Sequence, residues 1–239
     1  SPPSLADQFF HEGVLVRPNP ELQPERVHRD LSVRVAMHDV DAGPLTIGVS
    51  GGAYRADIDG MILWLPDFRY IWSPSNFDVR RSGWDVGGDI AVAAIGVDIR
   101  GTLSGSDVAY TGPVLTGQVA YRPKTTGSIV AGIANHGIRL EISGRYVGDR
   151  RTVPGSPLNV LDPYWLAGAK VTVPFTSDGW SFTTTVGLEN AFNQAASMLV
   201  DYPFPARTWT FALRIRRGDG RRAANDGVPF LQRRHYGRR

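Results

Sequence analysis

Trp209, Phe211, Leu213 and Ile215 alternate with Thr208, Thr210, Ala212, Arg214 and Arg216. A period of two with one apolar and one polar face is the signature of a β-strand wetted on one side only. The pattern recurs along the chain. From Arg26 to His38, Val27, Leu31, Val33, Val35 and Met37 share one face, with Arg29 the exception near an end, while His28, Asp30, Ser32, Arg34, Ala36 and His38 share the other. Ile138, Leu140, Ile142 and Tyr146 alternate with Arg139, Glu141, Ser143 and Arg145, and Trp165 to Phe175 does the same. About nine such strands, mostly about 10 to 13 residues long, are expected, close to what a tilted strand needs to cross a bilayer.

The spacing between strands is also patterned. Short turns are expected at Asp39–Gly43, around Ala93 and Ala94, at Asn135-His136-Gly137 and at Thr176–Gly179. Long connections are expected over 58–79, 106–122 and 148–163, and in the Pro-rich stretch before Thr208. A barrel with short turns on one side and long loops on the other produces that rhythm, whereas a sandwich has no reason to lengthen every second connection. Trp165, Phe175, Trp180 and Trp209 suit the aromatic girdles of such a barrel. Asp30, Arg34, Arg139, Glu141, Arg145, Lys170, Glu189 and Arg214 would then face a wet or plugged lumen.

Composition narrows the chemistry. There are no cysteines, so disulfides and thiolate metal sites are excluded. No apolar run approaches the roughly 18 residues of a membrane helix. The His residues at 11, 28, 38, 136 and 235 lack metal-binding spacing, His28 and His38 lying about 33 Å apart along a strand. Gly48-Val49-Ser50-Gly51-Gly52 spells a nucleophile elbow, but Ala53 to Asp57 continues as strand where an elbow needs a helix. Arg217-Gly218-Asp219 reads as a turn. Neither an enzyme, a cofactor nor a nucleic-acid partner is expected. Residues 217–239, with seven arginines against Asp219 and Asp226, read as a basic extension following a 1–216 domain.

Several segments resemble one family in its own order. Ser1-Pro2-Pro3-Ser4-Leu5 with Asn19-Pro20-Glu21-Leu22-Gln23-Pro24-Glu25, Trp72-Ser73-Pro74-Ser75-Asn76, Val119-Ala120-Tyr121-Arg122-Pro123, Asn159 to Tyr164, Glu189-Asn190-Ala191-Phe192-Asn193 and Tyr202-Pro203-Phe204-Pro205-Ala206-Arg207 are similar to motifs in the barrel of TonB-dependent outer-membrane receptors. The departures are Ala191 for Leu, Ala206 for Gly, and the absence of a terminal aromatic on the last strand. The resemblance implies an all-β, transmembrane, antiparallel up-and-down barrel of about 22 strands. This chain would supply the C-terminal nine or so, because an odd-numbered arc leaves two unpaired edges in lipid.

It further implies a bacterial outer-membrane transporter for a scarce nutrient, a ferric siderophore foremost. Its partners would be the remaining strands and plug, the TonB–ExbB–ExbD complex, outer-membrane lipid and a small-molecule ligand. Ligand candidates in the long connections are Trp64, Phe68, Arg69, Tyr70 and Trp72, with Arg150 and Arg151 adding positive charge. The same aromatics could instead pack the loop onto its neighbours. The other reading of the alternation is a soluble β-sandwich, binding or structural, with a basic tail.

Overall fold

The computed structural model describes residues 2–9, 13, 15–67, 69, 71–113, 115–154 and 158–217. Phe68, Tyr70, His11, His235 and the extension past Arg217 lie outside these residues. After a short helix at Leu5–Phe9 come nine principal strands: β1 (Arg26–Ala42), β2 (Leu45–Pro66), β3 (Trp72–Val92), β4 (Val97–Tyr110), β5 (Thr125–Asn135), β6 (Ile138–Val147), β7 (Tyr164–Ser177), β8 (Trp180–Glu189) and β9 (Thr208–Arg217). Each pairs antiparallel with the next, so the sheet order is the chain order. This is an up-and-down arc of nine strands, and β1 and β9 each keep one edge unpaired among the described residues. Among the described residues no second sheet of comparable size lies against it, which removes the sandwich reading.

Register carries the faces, because directly opposed residues point to the same side. Leu188 opposes Trp209, Val186 opposes Phe211 and Phe182 opposes Ile215. The same face runs through Val171 and Phe175 on β7, Leu140 and Ile142 on β6, and Ile99 and Leu103 on β4. It ends in Ile90 and Val86 on β3, Val49 on β2 and Val35 on β1. These apolar side chains are open to the surroundings, Val35 at 71% and Phe211 at 75%. A continuous exposed apolar face of this extent marks contact with lipid or another apolar partner. Aromatics sit at both ends of it. Tyr146 and Trp165 meet at 4.8 Å on the side of the long connections, and Phe175 and Phe182 stack at 4.6 Å beside a short turn.

The opposite face is polar. Hydroxyls pair across strands at Thr102–Ser128 (2.8 Å), Ser104–Thr126 (2.8 Å) and Tyr54–Ser106 (3.1 Å). Arg139 grips Asp98 through both guanidinium nitrogens at 3.0 and 3.1 Å and reaches Glu141 at 3.4 Å. Glu141 also meets Arg100 at 3.7 Å and bonds Lys170, and Arg34 holds Asp85 at 3.0 Å. Of the charges expected on the wet face, Arg34, Arg139, Glu141 and Lys170 are thus neutralised across the wall.

Two expectations change. The second strand does not end near Asp57, and 58–79 is not a long connection: β2 runs to Pro66, β3 starts at Trp72, and only 67–71 joins them. A register shift between Ile58 and Met61 conceals this by breaking the alternation. Gly60 takes φ +66° there, its N–H donating to Asp78 Oδ1 (2.9 Å) and its carbonyl accepting Asn76 Nδ2 (2.6 Å). Strand length is the second change. The first three strands span 17, 22 and 21 residues rather than the expected 10 to 13.

The short turns fall where expected, at 43–44, 93–96, 136–137 and 178–179. His136-Gly137 and Asp178-Gly179 both have positive φ throughout, as tight hairpins require. Gly96 is more constrained, since a Cβ there would collide with the Ala134 carbonyl, whereas one on Gly179 meets nothing. We expect Gly179→Ala to cost about 1 kcal/mol from backbone strain alone and Gly96→Ala distinctly more. Denaturant midpoints of the full-length protein in detergent check the order; equal losses would contradict it.

Candidate functional site

The connections 67–71, 111–124, 148–163 and 190–207 all emerge at one end of the sheet, with the segment preceding β1. That end is where a ligand would first be met. It is built on an extension of β2 and β3 beyond their neighbours. β4 stops at Tyr110, opposite Val79, so residues 72–78 of β3 have β2 on one edge only. The N-terminal segment closes the other edge. Arg17 N–H donates to the Trp72 carbonyl (2.9 Å) and Trp72 N–H to that of Leu15 (2.8 Å). Asn19 Nδ2 donates to the Pro74 carbonyl (3.1 Å), and Asn76 exchanges two 2.9 Å bonds with the Gln23 backbone. Pro74 lies on this edge, where its missing N–H breaks no bond to β2.

On the inner face of the extension, Ala56, Ile58, Leu63, Val79, Val108 and Tyr110 form a buried apolar cluster closed by Val119 from the 111–124 connection. Val119 N–H donates to the Val108 carbonyl at 2.8 Å, folding that connection back over the sheet. The Tyr110 phenol is buried here, and its oxygen has no hydrogen-bond partner among the described residues.

The sequence-predicted residues separate by environment. Trp64 donates its indole N–H to Asp7 Oδ1 (2.8 Å), a carboxylate also held by Ser4 Oγ (2.7 Å). Trp72 lies 6.0 Å from the Tyr121 ring. Arg150 is only 3% exposed. Its Nη2 donates to the Asp162 carbonyl (3.1 Å) and its guanidinium lies 4.9 Å from the centre of the Tyr164 ring. Arg151 is half-buried, and its carbonyl accepts Tyr121 N–H at 2.7 Å. Arg69 is exposed at the tip of the β2–β3 hairpin, its N–H donating to Asp67 Oδ1 at 2.7 Å.

Tyr121 therefore joins Trp72 and Arg151, and its phenol also reaches the backbone of Val200. Trp64 stays apart on Asp7, and Arg150 turns into the base of the 148–163 connection. Tyr121 is not among the sequence-predicted site residues, although its φ of +57° makes it a fixed junction of three connections. Asn190 is a second such junction. Its Nδ2 donates to the carbonyls of Gln194 (3.0 Å) and Pro205 (3.1 Å), and its Oδ1 accepts Gln194 N–H (2.8 Å), cinching the 190–207 connection.

Neither an acid–base pair nor a metal site gathers here. Among the described residues no group of three or more His, Asp or Glu could hold an ion. Gly48 to Gly52 lies inside β2, so Ser50 sits in a ladder rather than on an elbow.

Asn190→Ala should lower stability by about 2–3 kcal/mol, since three bonds of roughly 1 kcal/mol each are lost. Limited proteolysis should then cut first within 190–207. The Asp7 tie gives a pH signature. Its bonds from Ser4 and then Trp64 hold the carboxyl below its usual value, so the tie is complete above about pH 4 and is lost as pH falls through that lowered value. An acid-side change in tryptophan emission should appear in the parent protein and vanish in Trp64→Phe.

Comparison with known proteins places this geometry. A family model described as TonB dependent receptor-like, beta-barrel, matches residues 1–193. A search of curated proteins returns no match. Among solved structures, the chain is similar to the closed form of the ferric-catecholate import receptor Fiu from E. coli K12 (15% identity, TM-score 0.56, covering 81% of this chain and 28% of that one). It is similar to the copper transporter OprC (12%, 0.62, 89% and 35%) and to the pyoverdine outer membrane receptor FpvA from Pseudomonas aeruginosa PAO1 (13%, 0.55, 80% and 30%). The chain thus spans about a third of each of these three proteins.

Proposed function

Because the chain belongs to the TonB-dependent receptor-like β-barrel family, whose members are transporters and not enzymes, we propose that it forms the C-terminal barrel wall of a receptor that carries a scarce nutrient across the bacterial outer membrane. A ferric siderophore is the leading substrate, with energy supplied through TonB–ExbB–ExbD. The observation that supports this most is the division between the two faces. From Val35 to Phe211 the outer side is apolar and unpaired, while the inner side carries compensated ion pairs and hydroxyl ladders suited to a wet interior. The unpaired edges of β1 and β9 call for further strands, and the polar wall calls for a plug beside it.

Ligand recognition in this reading belongs to the long-connection end. Arg69 and Arg151 supply charge toward an anionic chelate, with Phe68 and Tyr70 flanking Arg69. Trp64, Trp72 and Arg150 act one step back, holding the walls that carry them. The likeness to the ferric-catecholate import receptor Fiu favours an iron complex, and that to the copper transporter OprC keeps copper as the second reading. β9 ends at Arg217 on the short-turn side, which is the periplasmic side in this orientation.

Uptake tests the assignment. Cells relying on the full-length receptor should grow on its ferric siderophore as sole iron source and stop when the gene is deleted; unchanged uptake of every iron and copper complex in the deletion strain would refute it. The faces can be tested separately. Phe211→Arg, toward lipid, should cost about 2–4 kcal/mol if it lies near the midplane and reduce the amount of folded barrel in the outer membrane. Thr210→Arg, one residue away on the inner face, should assemble at close to the parent level.

A further inference from the structure

Where β4 gives way to the 111–124 connection, a cavity of about 100 Å³ remains, lined by Phe77, Asp78, Tyr110, Gly112, Pro113 and Leu115. Two of its polar groups lack partners. Tyr110 is only 7% exposed, and its phenol oxygen meets no hydrogen-bonding group among the described residues. A buried hydroxyl is rarely left so, because nothing then offsets its loss of water. Asp78 uses Oδ1 to accept the Gly60 N–H at 2.9 Å and its carbonyl to accept that of Thr111. Among the described residues its Oδ2 meets no donor, and no cation lies within 4 Å of the carboxylate.

The remaining wall is apolar. The Phe77 and Tyr110 rings meet edge to face, with centroids 5.5 Å apart, and Leu115 packs against the same cluster. Asn76 borders the cavity, but its amide is already spent on the Gln23 backbone and the Gly60 carbonyl. Gly112 keeps the space open, since a Cβ there would find nothing nearer than Asp78 Oδ2 at 3.8 Å. A carboxylate oxygen and a phenol oxygen beside two aromatic rings call for a small, positive, donor-rich group. A primary ammonium is one: it carries three donors and no acceptor, and ring faces attract it. A guanidinium matches less well, because its planar fork wants a second acceptor and Asp78 Oδ1 is taken. A single carboxylate is too few ligands for a divalent ion, and anions are repelled.

We propose that this cavity binds the primary ammonium group of a small solute. Its N–H groups donate to Asp78 Oδ2 and to the Tyr110 oxygen, and its alkyl stem lies against Phe77, Pro113 and Leu115. Asp78 is exposed, so the carboxylate can be reached from the long-connection end. The subsite is opposite in sign to Arg69 and Arg151, so a nutrient with an amine arm would be held through both of its charges. That last consequence rests on the uptake reading above; the chemistry of the cavity does not.

The test titrates the full-length receptor in detergent with propylammonium chloride at constant ionic strength, followed by ligand-observed NMR, with 1-propanol as the neutral isostere. Propylammonium should bind with a Kd of about 1 mM, within reach of a ligand of so few atoms, and roughly tenfold or more tighter than 1-propanol. Asp78→Asn keeps an acceptor for the Gly60 N–H and removes the charge, so it should lose that preference. Tyr110→Phe deletes an oxygen that has no partner, so it should assemble at the parent level and weaken propylammonium binding severalfold. Gly112→Val should fill the cavity and abolish binding. Equal affinity for propylammonium and 1-propanol overturns the proposal, as does parent-like ammonium binding by Asp78→Asn. A cavity that holds water only, with no saturable propylammonium binding, overturns it too. Should Asp78→Asn fail to assemble, Gly112→Val decides, and parent-like binding there is equally fatal. Unchanged nutrient uptake in the deletion strain would refute the uptake reading and leave the propylammonium titration standing, so the two fail separately.

Discussion

The structure depends on register. In an apolar surrounding every backbone N–H and C=O of the wall must find its partner in a neighbouring strand, because no water is there to replace it. That requirement fixes the hydrogen-bond ladder, and the ladder fixes which side chain goes where. A slip of one residue between β8 and β9 would put Arg214 and Arg216 into the outer face and Phe211 and Leu213 into the wet one. The burial of charge such a slip demands keeps the strands aligned.

Much of this was legible from residue order, since period two is imposed by the pleat itself. β6, β7 and β9 carry clean alternation, and Asn135-His136-Gly137 and Asp178-Gly179 carry the turn chemistry that positive φ demands. The same logic failed between Ile58 and Val79. A single bulge resets the phase there, and Asn76 and Asp78 fill it from the opposite strand, a relation that lies 16 and 18 residues away and leaves no local trace. The site was less legible still. Arg150 and Arg151 are indistinguishable as letters, yet one points into the protein beneath Tyr164 and the other offers its backbone to Tyr121. Tyr121 stands in a motif visible in the sequence, Val119 to Pro123, but its role as a junction appears only once three connections, distant in sequence, are brought to one place.

The inner wall separates two kinds of charge. Near the short turns, Asp98, Arg139, Glu141, Arg100 and Lys170 satisfy one another and present little net field. Bidentate and multiply bonded pairs of this kind favour one geometry more than they add stability. A wall so arranged is stiff and electrically quiet at that cluster, while Asp30, Arg145, Glu189 and Arg214 share the same face outside it.

The clasp formed by residues 15–23 on β3 has a mechanical consequence. Five hydrogen bonds tie the incoming chain to Trp72, Pro74 and Asn76, and Trp72 in turn touches Tyr121. The tall hairpin is therefore no free-standing flap. It is braced by residues 15–23, so a shift in that segment would be delivered to the mouth as a displacement of Tyr121 and the three connections it joins.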